Sequence, residues 1–319
     1  MSRDVLVVGA GMAGARVAEL RAAAGDRVVV VDKGRRHGGR MASRRLDGDA
    51  ADTGVTAFAA AGPSFTRALA GWADDGRAAP LTDRPERWRG TPRMRDLPAH
   101  VVGRSGATVR LATTVTALAV VDGRWRATIT RRPSPAGTAD ATAPEVDTVT
   151  ADALVLTAPA PQAAALLRTG GRLASPDTLA ALDAVTYVAT LAVVVRSRPT
   201  SAVEGADGRG TLRTLHRDVD PAVLDGDRAA AAATIVGEEP SPTGDAWTVV
   251  HVHGWRYAQV RTGIDRPALR DDTAGAPLVL AGDLFDASGD APAGVRPEGV
   301  ERAFHSAAAA ARLLDGEGP

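Results

Sequence analysis

The stretch Asp4 to Asp32, DVLVVGAGMAGARVAELRAAAGDRVVVVD, leaves this chain few ways to fold. Val5 to Val8 is a short, unbroken apolar run, which suits a strand buried on both faces. Gly9, Gly11 and Gly14 follow in a G-x-G-x-x-G spacing. The first permits a tight turn, the second lets backbone approach a pyrophosphate, and the third lets the next helix lie against the strand. Ala13 to Ala24 is alanine-rich and free of proline, so it supplies that helix, with its unpaired N–H groups and dipole turned toward the phosphates. Gly25 closes the helix and Arg27 to Val31 makes a second strand. Asp32 stands 18 residues after Gly14, where a carboxylate accepts hydrogen bonds from ribose hydroxyls. The result is a βαβ unit for a dinucleotide, with Gly9, Ala10, Gly11, Met12, Ala13 and Gly14 as the phosphate turn. This unit alone does not say which dinucleotide.

At 319 residues the chain has room for one large domain or two intimate ones. Its formal net charge of zero gives nucleic acid or an anionic membrane no general attraction, so a small molecule is the expected partner and the oligomeric state stays open. With no cysteine there is neither a disulfide nor a thiol nucleophile. The first apolar run is too short for a signal peptide or a membrane span, which makes a cytoplasmic location the default expectation. The six histidines are scattered and suggest no metal cluster, and no Ser-His-Asp set is evident.

After Asp32, the segment Lys33 to Ala51 is rich in arginine and glycine without apolar periodicity, and reads as a loop suited to wrapping a diphosphate. Phe65 to Asp75 has helical apolar spacing, and Pro80 to Pro98 is rich in proline and arginine. Ala107 to Leu111, Thr113 to Val120 and Arg124 to Thr130 read as strands, the last two joined at Asp122-Gly123, a hairpin signal. The stretch Pro133 to Glu145 reads as a hairpin tip. Ala153 to Thr157 is another buried strand, with prolines starting the helix Gln162 to Leu167. Tyr187 to Val195, Leu212 to Leu215 and Trp247 to Val252 suit an antiparallel sheet, with a helix over Asp225 to Ala233 between them. Pro277 to Asp283 reads as a strand ending in Gly-Asp, and Glu298 to Leu314 as a closing helix.

Several of these segments carry a resemblance. Asp32-Lys33, Gly38-Gly39-Arg40-Met41 and Asp52-Thr53-Gly54 resemble the DK…GGRM…D-x-G series of the flavin-dependent amine oxidase superfamily, and within it the small renalase-like bacterial oxidoreductases. Arg87 to Met94, Ala158-Pro159-Ala160-Pro161-Gln162, His253 to Ala258, Gly282-Asp283 and the Val300 to Leu314 helix match the family's later segments in order. The resemblance implies FAD as cofactor. It places Lys33, Gly39, Arg40, Met41 and Gly54 near the pyrophosphate or isoalloxazine, Val115 at the adenine, Ala158 by the cofactor, and Gly282 and Asp283 over the flavin chain. Val300 then opens a helix directed at the flavin pyrimidine, while Phe58, Trp255 and Tyr257 line the substrate pocket.

The fold class expected is therefore α/β. It combines a Rossmann-like FAD-binding domain (1–65, 104–162 and 270–319) with an interleaved α+β substrate domain (66–103 and 163–269) that carries an antiparallel sheet. The activity the resemblance implies is an FAD-dependent oxidoreductase that moves a hydride from a small substrate to flavin N5, with oxygen as final acceptor. Dihydronicotinamide isomers are the substrates of the renalase-like reading. An amine oxidase or desaturase of the same superfamily shares every cofactor feature, and a flavin-binding protein with little turnover is the third alternative. No particular catalytic side chain is singled out, because a flavin carries the redox step itself.

Overall fold

The computed structural model describes residues 2–133, 144–197, 211–240 and 247–318. It opens with the expected unit: β1 (Asp4–Val8), α1 (Met12–Ala23) and β2 (Arg27–Val31). The next segment departs from the expected loop. A 3-10 turn at Gly39–Met41 leads into a hairpin of β3 (Ser43–Leu46) and β4 (Asp49–Asp52). Its turn, Asp47-Gly48, has φ of 49° and 92°, the doubly positive geometry that an Asp-Gly pair favours in a two-residue hairpin loop. The strands themselves are arginine- and aspartate-rich, so no apolar alternation announces them.

β5 (Phe58–Ala59), α2 (Pro63–Asp74), β6 (Ala78–Pro80), β7 (Arg87–Gly90) and α3 (Asp96–Gly103) follow. Pro63 opens α2 at a position whose N–H has no helical partner, and Phe65, Leu69 and Trp72 form its buried stripe. Then come β8 (Thr108–Arg110), β9 (Thr113–Val121), β10 (Arg124–Arg131) and β11 (Glu145–Ala151). The turn between β9 and β10 is Asp122-Gly123 with φ of 51° and 72°, as expected of that dipeptide. Residues 134–143, in the expected hairpin tip, lie outside the described residues.

The chain continues through β12 (Ala153–Leu156), α4 (Ala160–Leu167), α5 (Pro176–Asp183), β13 (Thr186–Arg196) and β14 (Leu212–Val219). It ends with α6 (Arg228–Glu238), β15 (Thr248–Thr262), β16 (Leu269–Asp271), β17 (Leu278–Leu280) and α7 (Gly299–Leu314). Six strands form the central sheet in the order β16-β17-β12-β1-β2-β8, parallel except for the edge strand β16. Separate antiparallel sheets are β11-β10-β9, β14-β13-β15 and β5-β7-β6. This is the expected fold class, a Rossmann-like parallel sheet with a separate antiparallel sheet beside it.

Because strand side chains alternate, β1 feeds two cores. Val5 and Val7 pack with α1, α3 and α7, whereas Leu6 packs with Trp125 of β10, Leu167 of α4 and Leu182 of α5. Trp125 is fully buried and donates its indole N–H to the Pro277 carbonyl at 2.8 Å, which ties β10 to the start of β17. A third core unites Leu191, Val193 and Val195 of β13 with Leu215 of β14 and Ile235 of α6. These cores run across the expected partition. Residues 66–103, assigned to the substrate side, bury Leu69, Trp72, Leu97 and Val101 in the same core as α1 and α7. Helices α4 and α5 belong to the second core together with Val260 of β15 and Tyr187 of β13, while the rest of β13 packs with β14 and α6 in the third.

Candidate functional site

In a parallel sheet of this order, helices leave β1 and β12 toward different faces, and a crevice opens at the carboxyl ends of those strands. The fingerprint turn sits there. Gly9 has φ of 117°, and a Cβ on it would stand 2.3 Å from Thr157 Oγ1; one on Gly14 would stand 1.9 Å from the Gly9 carbonyl oxygen. These two glycines are therefore demanded by packing of turn, helix and β12. Gly11 differs: a Cβ there would meet nothing nearer than the Gly38 carbonyl oxygen at 3.7 Å and Gly39 Cα at 4.0 Å. It would project into the space between the start of α1 and the Gly38-Gly39 backbone. The helix has no side-chain cap at Gly11 and no acid in its first turn, so its positive end is uncompensated. Ala10, Met12 and Ala13 of the same turn are buried, Met12 and Ala13 in the first core.

Asp32 ends β2 with each carboxylate oxygen already anchored. Oδ2 accepts from the Ala10 N–H at 2.6 Å and Oδ1 from the Gly34 N–H at 2.5 Å. Each oxygen keeps a further lone pair for a ribose hydroxyl. Lys33 is exposed and reaches across to Gln162 Oε1 at 2.9 Å, joining the expected A-P-A-P-Q turn to this side of the crevice. Thr113 N donates to the Asp32 carbonyl at 2.9 Å, and half-buried Val115 follows two residues along β9. Ala158 is half-buried at the entry to α4.

On the other side of the turn, Arg40 and Asp283 meet in a two-pronged ion pair, with Nη1 to Oδ2 at 2.6 Å and Nη2 donating to Oδ1. Burial alone would lower the Arg40 pKa, but Asp283 beside it holds the guanidinium above its ordinary value. Gly282 N donates to Ser306 Oγ of α7 at 2.9 Å, which fixes the Gly-Asp turn to that helix. The first turn of α7 lies against Asp283, since a Cβ on Gly299 would stand 3.3 Å from Asp283 Oδ2. Val300 in that turn is buried in the first core. Arg302 holds the preceding loop, donating to the Asp283 carbonyl at 3.2 Å and the Pro297 carbonyl at 2.8 Å.

Two expected cofactor residues also have a structural task. A Cβ on Gly54 would stand 1.9 Å from the Arg40 carbonyl oxygen, so this glycine is required by the close passage of 40–42 against 53–55. The side chain of Met41 is buried in the first core. Gly39, by contrast, is exposed beside Gly11. Sequence reasoning missed Thr157, which faces Gly9 and donates to the Val8 carbonyl at 2.9 Å, and Tyr187, whose hydroxyl accepts from Ala160 N at 2.9 Å. Burial pushes the Tyr187 phenol up to about 12, so it stays neutral beside Arg40 and Asp283. Its rarity was a usable signal, since the chain has two tyrosines and their rings touch at 5.2 Å.

The second of those tyrosines, Tyr257, lies on β15. Trp255 stands on one face of that strand, where its Nε1 donates to the Thr53 carbonyl at 2.6 Å; Tyr257 follows within a shift of register between Trp255 and Gln259, its ring against Tyr187. The face thus looks onto the segment that follows β4, while Val252 on the opposite face packs in the third core with Leu224. Both aromatic residues are half-buried. Phe58 does not join them. It is fully buried and packs on Phe65 at 5.9 Å in the first core, where the apolar surroundings of a short strand pairing with β7 explain it.

The residues at the crevice fit FAD. An uncapped helix end with clear space at Gly11 suits a pyrophosphate, a pre-oriented carboxylate at Asp32 suits a ribose, and Arg40 retains N–H donors beyond those given to Asp283. Among the described residues no group of histidines and carboxylates is placed to hold a metal ion, and no helix is long and apolar enough to cross a membrane.

A sheet of this order with such a crevice and a flanking antiparallel sheet defines a dinucleotide-binding α/β fold of the kind seen in flavoprotein oxidoreductases. Residues 7–72 match the family model of an NAD(P)-binding Rossmann-like domain. The whole chain is similar in structure to an oxidoreductase from Methanosarcina mazei, with 12% identity, a TM-score of 0.63, and coverage of 98% of this chain and 100% of that one. A putative protoporphyrinogen oxidase from Exiguobacterium sp. shares 14% identity over 99% of this chain and 98% of its own, with a TM-score of 0.58. Aklavinone-11 hydroxylase, solved with FAD and aklavinone, shares 17% identity over 98% of this chain and 63% of its own, with a TM-score of 0.55. Identities this low establish the fold.

Proposed function

We propose that this chain is an FAD-dependent oxidoreductase that takes a hydride from a small molecule held against Trp255 and Tyr257 of β15. What supports it most is convergence: groups from residue 9 to residue 300 meet at one crevice, each with chemistry suited to a different part of FAD. FAD, when bound, would supply the hydride-accepting and electron-passing chemistry. The chain does the holding. The N–H groups at the start of α1 and the free donors of Arg40 neutralise phosphate charge, and Asp32 accepts from the ribose. The α7 N-terminus supplies positive potential where reduction gathers negative charge. Trp255 and Tyr257 offer flat apolar surface to the substrate and keep water from it.

The finer reading follows the renalase-like resemblance: the substrates are dihydronicotinamide isomers. The absorbance spectrum of the purified, FAD-reconstituted protein tests the first statement, with bands near those of oxidised flavin expected and their absence overturning it. Anaerobic mixing with dihydronicotinamide isomers tests the second. Bleaching of the flavin bands is expected, and a loaded protein that stays oxidised would refute the finer reading alone.

A further inference from the structure

Beyond Trp255 the same face of β15 carries His253 and His251, the rings stepping along it at centroid separations of 4.5 and 6.2 Å. In the sheet they stand opposite Ala192 and Val194 of β13, and Ala192 is also opposite His216 of β14. None of this was absorbed by the cofactor site. His251 Nε2 is buried without a hydrogen-bond partner, and the His253 imidazole makes no hydrogen bond among the described residues. A buried ring nitrogen with nothing to bond is an open demand for a partner.

Among the described residues the charged groups that act on these two rings are cationic, and two residues beyond Val194 on β13 Arg196 pairs with Asp49 of β4 at 2.8 Å. Burial and Arg44 of β3 act on His251; burial, His251, Arg44 and Arg228 of α6 act on His253. All these influences lower the two imidazole pKa values, so both rings are neutral near pH 7. Among the described residues no carboxylate acts on either ring. Of the acids on this side of the sheet, Asp218 of β14 accepts from Thr190 Oγ1 at 3.0 Å and acts on His216. His216 in turn lies 3.4 Å from the Thr53 carbonyl, toward Trp255.

We infer that the corner formed by His251, His253 and Arg44 binds an oxyanion, a carboxylate or a phosphate, carried by the substrate. The inference rests on the oxidoreductase reading and names the charge of its substrate: among the described residues the carboxylate at this end of the face, Asp49, is already held by Arg196, so an alkylammonium has no free counter-ion there. Arg44 supplies the fixed charge and the imidazoles supply N–H donors. An oxyanion beside a neutral imidazole favours its protonation, so binding takes up a proton. Affinity accordingly rises as pH falls, by roughly tenfold per pH unit over the range where one proton is taken up.

Three probes decide it on the FAD-loaded protein: benzoate, inorganic phosphate and benzylamine. Binding is followed by the shift in flavin absorbance and by calorimetry in two buffers of different ionisation enthalpy, while histidine NMR signals report the corner directly. Expected are benzoate or phosphate binding that tightens several-fold from pH 8 to pH 6 with proton uptake, is about tenfold weaker in Arg44→Gln, and loses its proton uptake in His253→Gln. Arg44 is exposed, so its variant folds, and Arg126→Gln on the exposed side of β10 serves as an unchanged control. Preference for benzoate marks a carboxylate, preference for phosphate a phosphate. Tighter binding of benzylamine, or anion binding that ignores both pH and Arg44→Gln, overturns the inference. So do histidine signals that neither anion moves. Failure to load flavin defeats the oxidoreductase reading instead, and the histidine signals still decide the corner.

Discussion

Gly11 and Gly14 look interchangeable in the fingerprint, yet their surroundings assign them opposite tasks. Gly14→Ala puts a methyl 1.9 Å from a backbone oxygen and must push α1 off β1. Loss of at least ~2 kcal/mol of stability is expected. Gly11→Ala meets no atom nearer than 3.7 Å and has an ordinary φ of −82°, so the protein should unfold within about 1 kcal/mol of wild type while losing FAD. Denaturant titration and flavin content of the two variants check this, and a Gly11→Ala protein that retains its flavin would contradict the pyrophosphate assignment. The Arg40–Asp283 pair separates along the same line. Asp283→Asn leaves a mostly buried guanidinium without its counter-charge, which should cost about 3 kcal/mol. The double replacement Arg40→Met with Asp283→Leu should recover much of that stability but none of the flavin binding. Sequence motifs named both residues without revealing that they bind each other, because no spacing rule links positions 243 apart.

Elements were most legible where a backbone requirement left a residue signature. The strand–turn–strand of β9 and β10 was readable from Asp122-Gly123, and the same dipeptide at Asp47-Gly48 equally marked β3 and β4. That second signal was outweighed by a charged, non-alternating flank: β3 and β4 form a two-stranded sheet on their own, and only Ser43 and Ala51 among them are buried. Helix α5 was missed although Ser175-Pro176 is a strong start, with Ser175 Oγ accepting from Thr178 N and proline in the first turn. The site that steadies this helix carries a pH prediction. Burial would raise the Asp271 pKa, but hydrogen bonds from Thr178, Thr273 and Ser175 hold it well below the usual carboxylate range. A depressed folded-state pKa gives stability that is full above the unfolded value of about 4 and is lost as pH falls toward the folded one. Denaturant titrations between pH 5 and pH 2 should show wild type losing this contribution, while Asp271→Asn, which cannot ionise, starts less stable and declines less steeply.

At the scale of the whole molecule, the parallel pairing of β1 with β2 was foreseeable from the βαβ signature, but the division into cores was not. Phe65, Leu69, Trp72, Leu97 and Val101 advertise amphipathic helices without saying which partner they meet, and in the fold they meet α1 and α7. The consequence is a cofactor crevice held by two cores and flanked by a third. Groups that fit FAD lie on β1, β2, β17 and the ends of α1 and α7, all in the first two cores, whereas Leu191, Leu215 and Ile235 belong to the third. A ligand stabilises what it touches, by about 2.7 kcal/mol when its concentration is 100 times its Kd. FAD at that excess should therefore slow hydrogen exchange most at the amides of β1, β12 and β17, whose opening dissolves the crevice. The amides of β13, β14 and α6 should gain less wherever their core opens on its own. Exchange measured by mass spectrometry with and without FAD compares the two sets. Equal protection throughout would mean that the three cores open as one unit, and protection confined to β13–β15 would move the nucleotide to the antiparallel sheet.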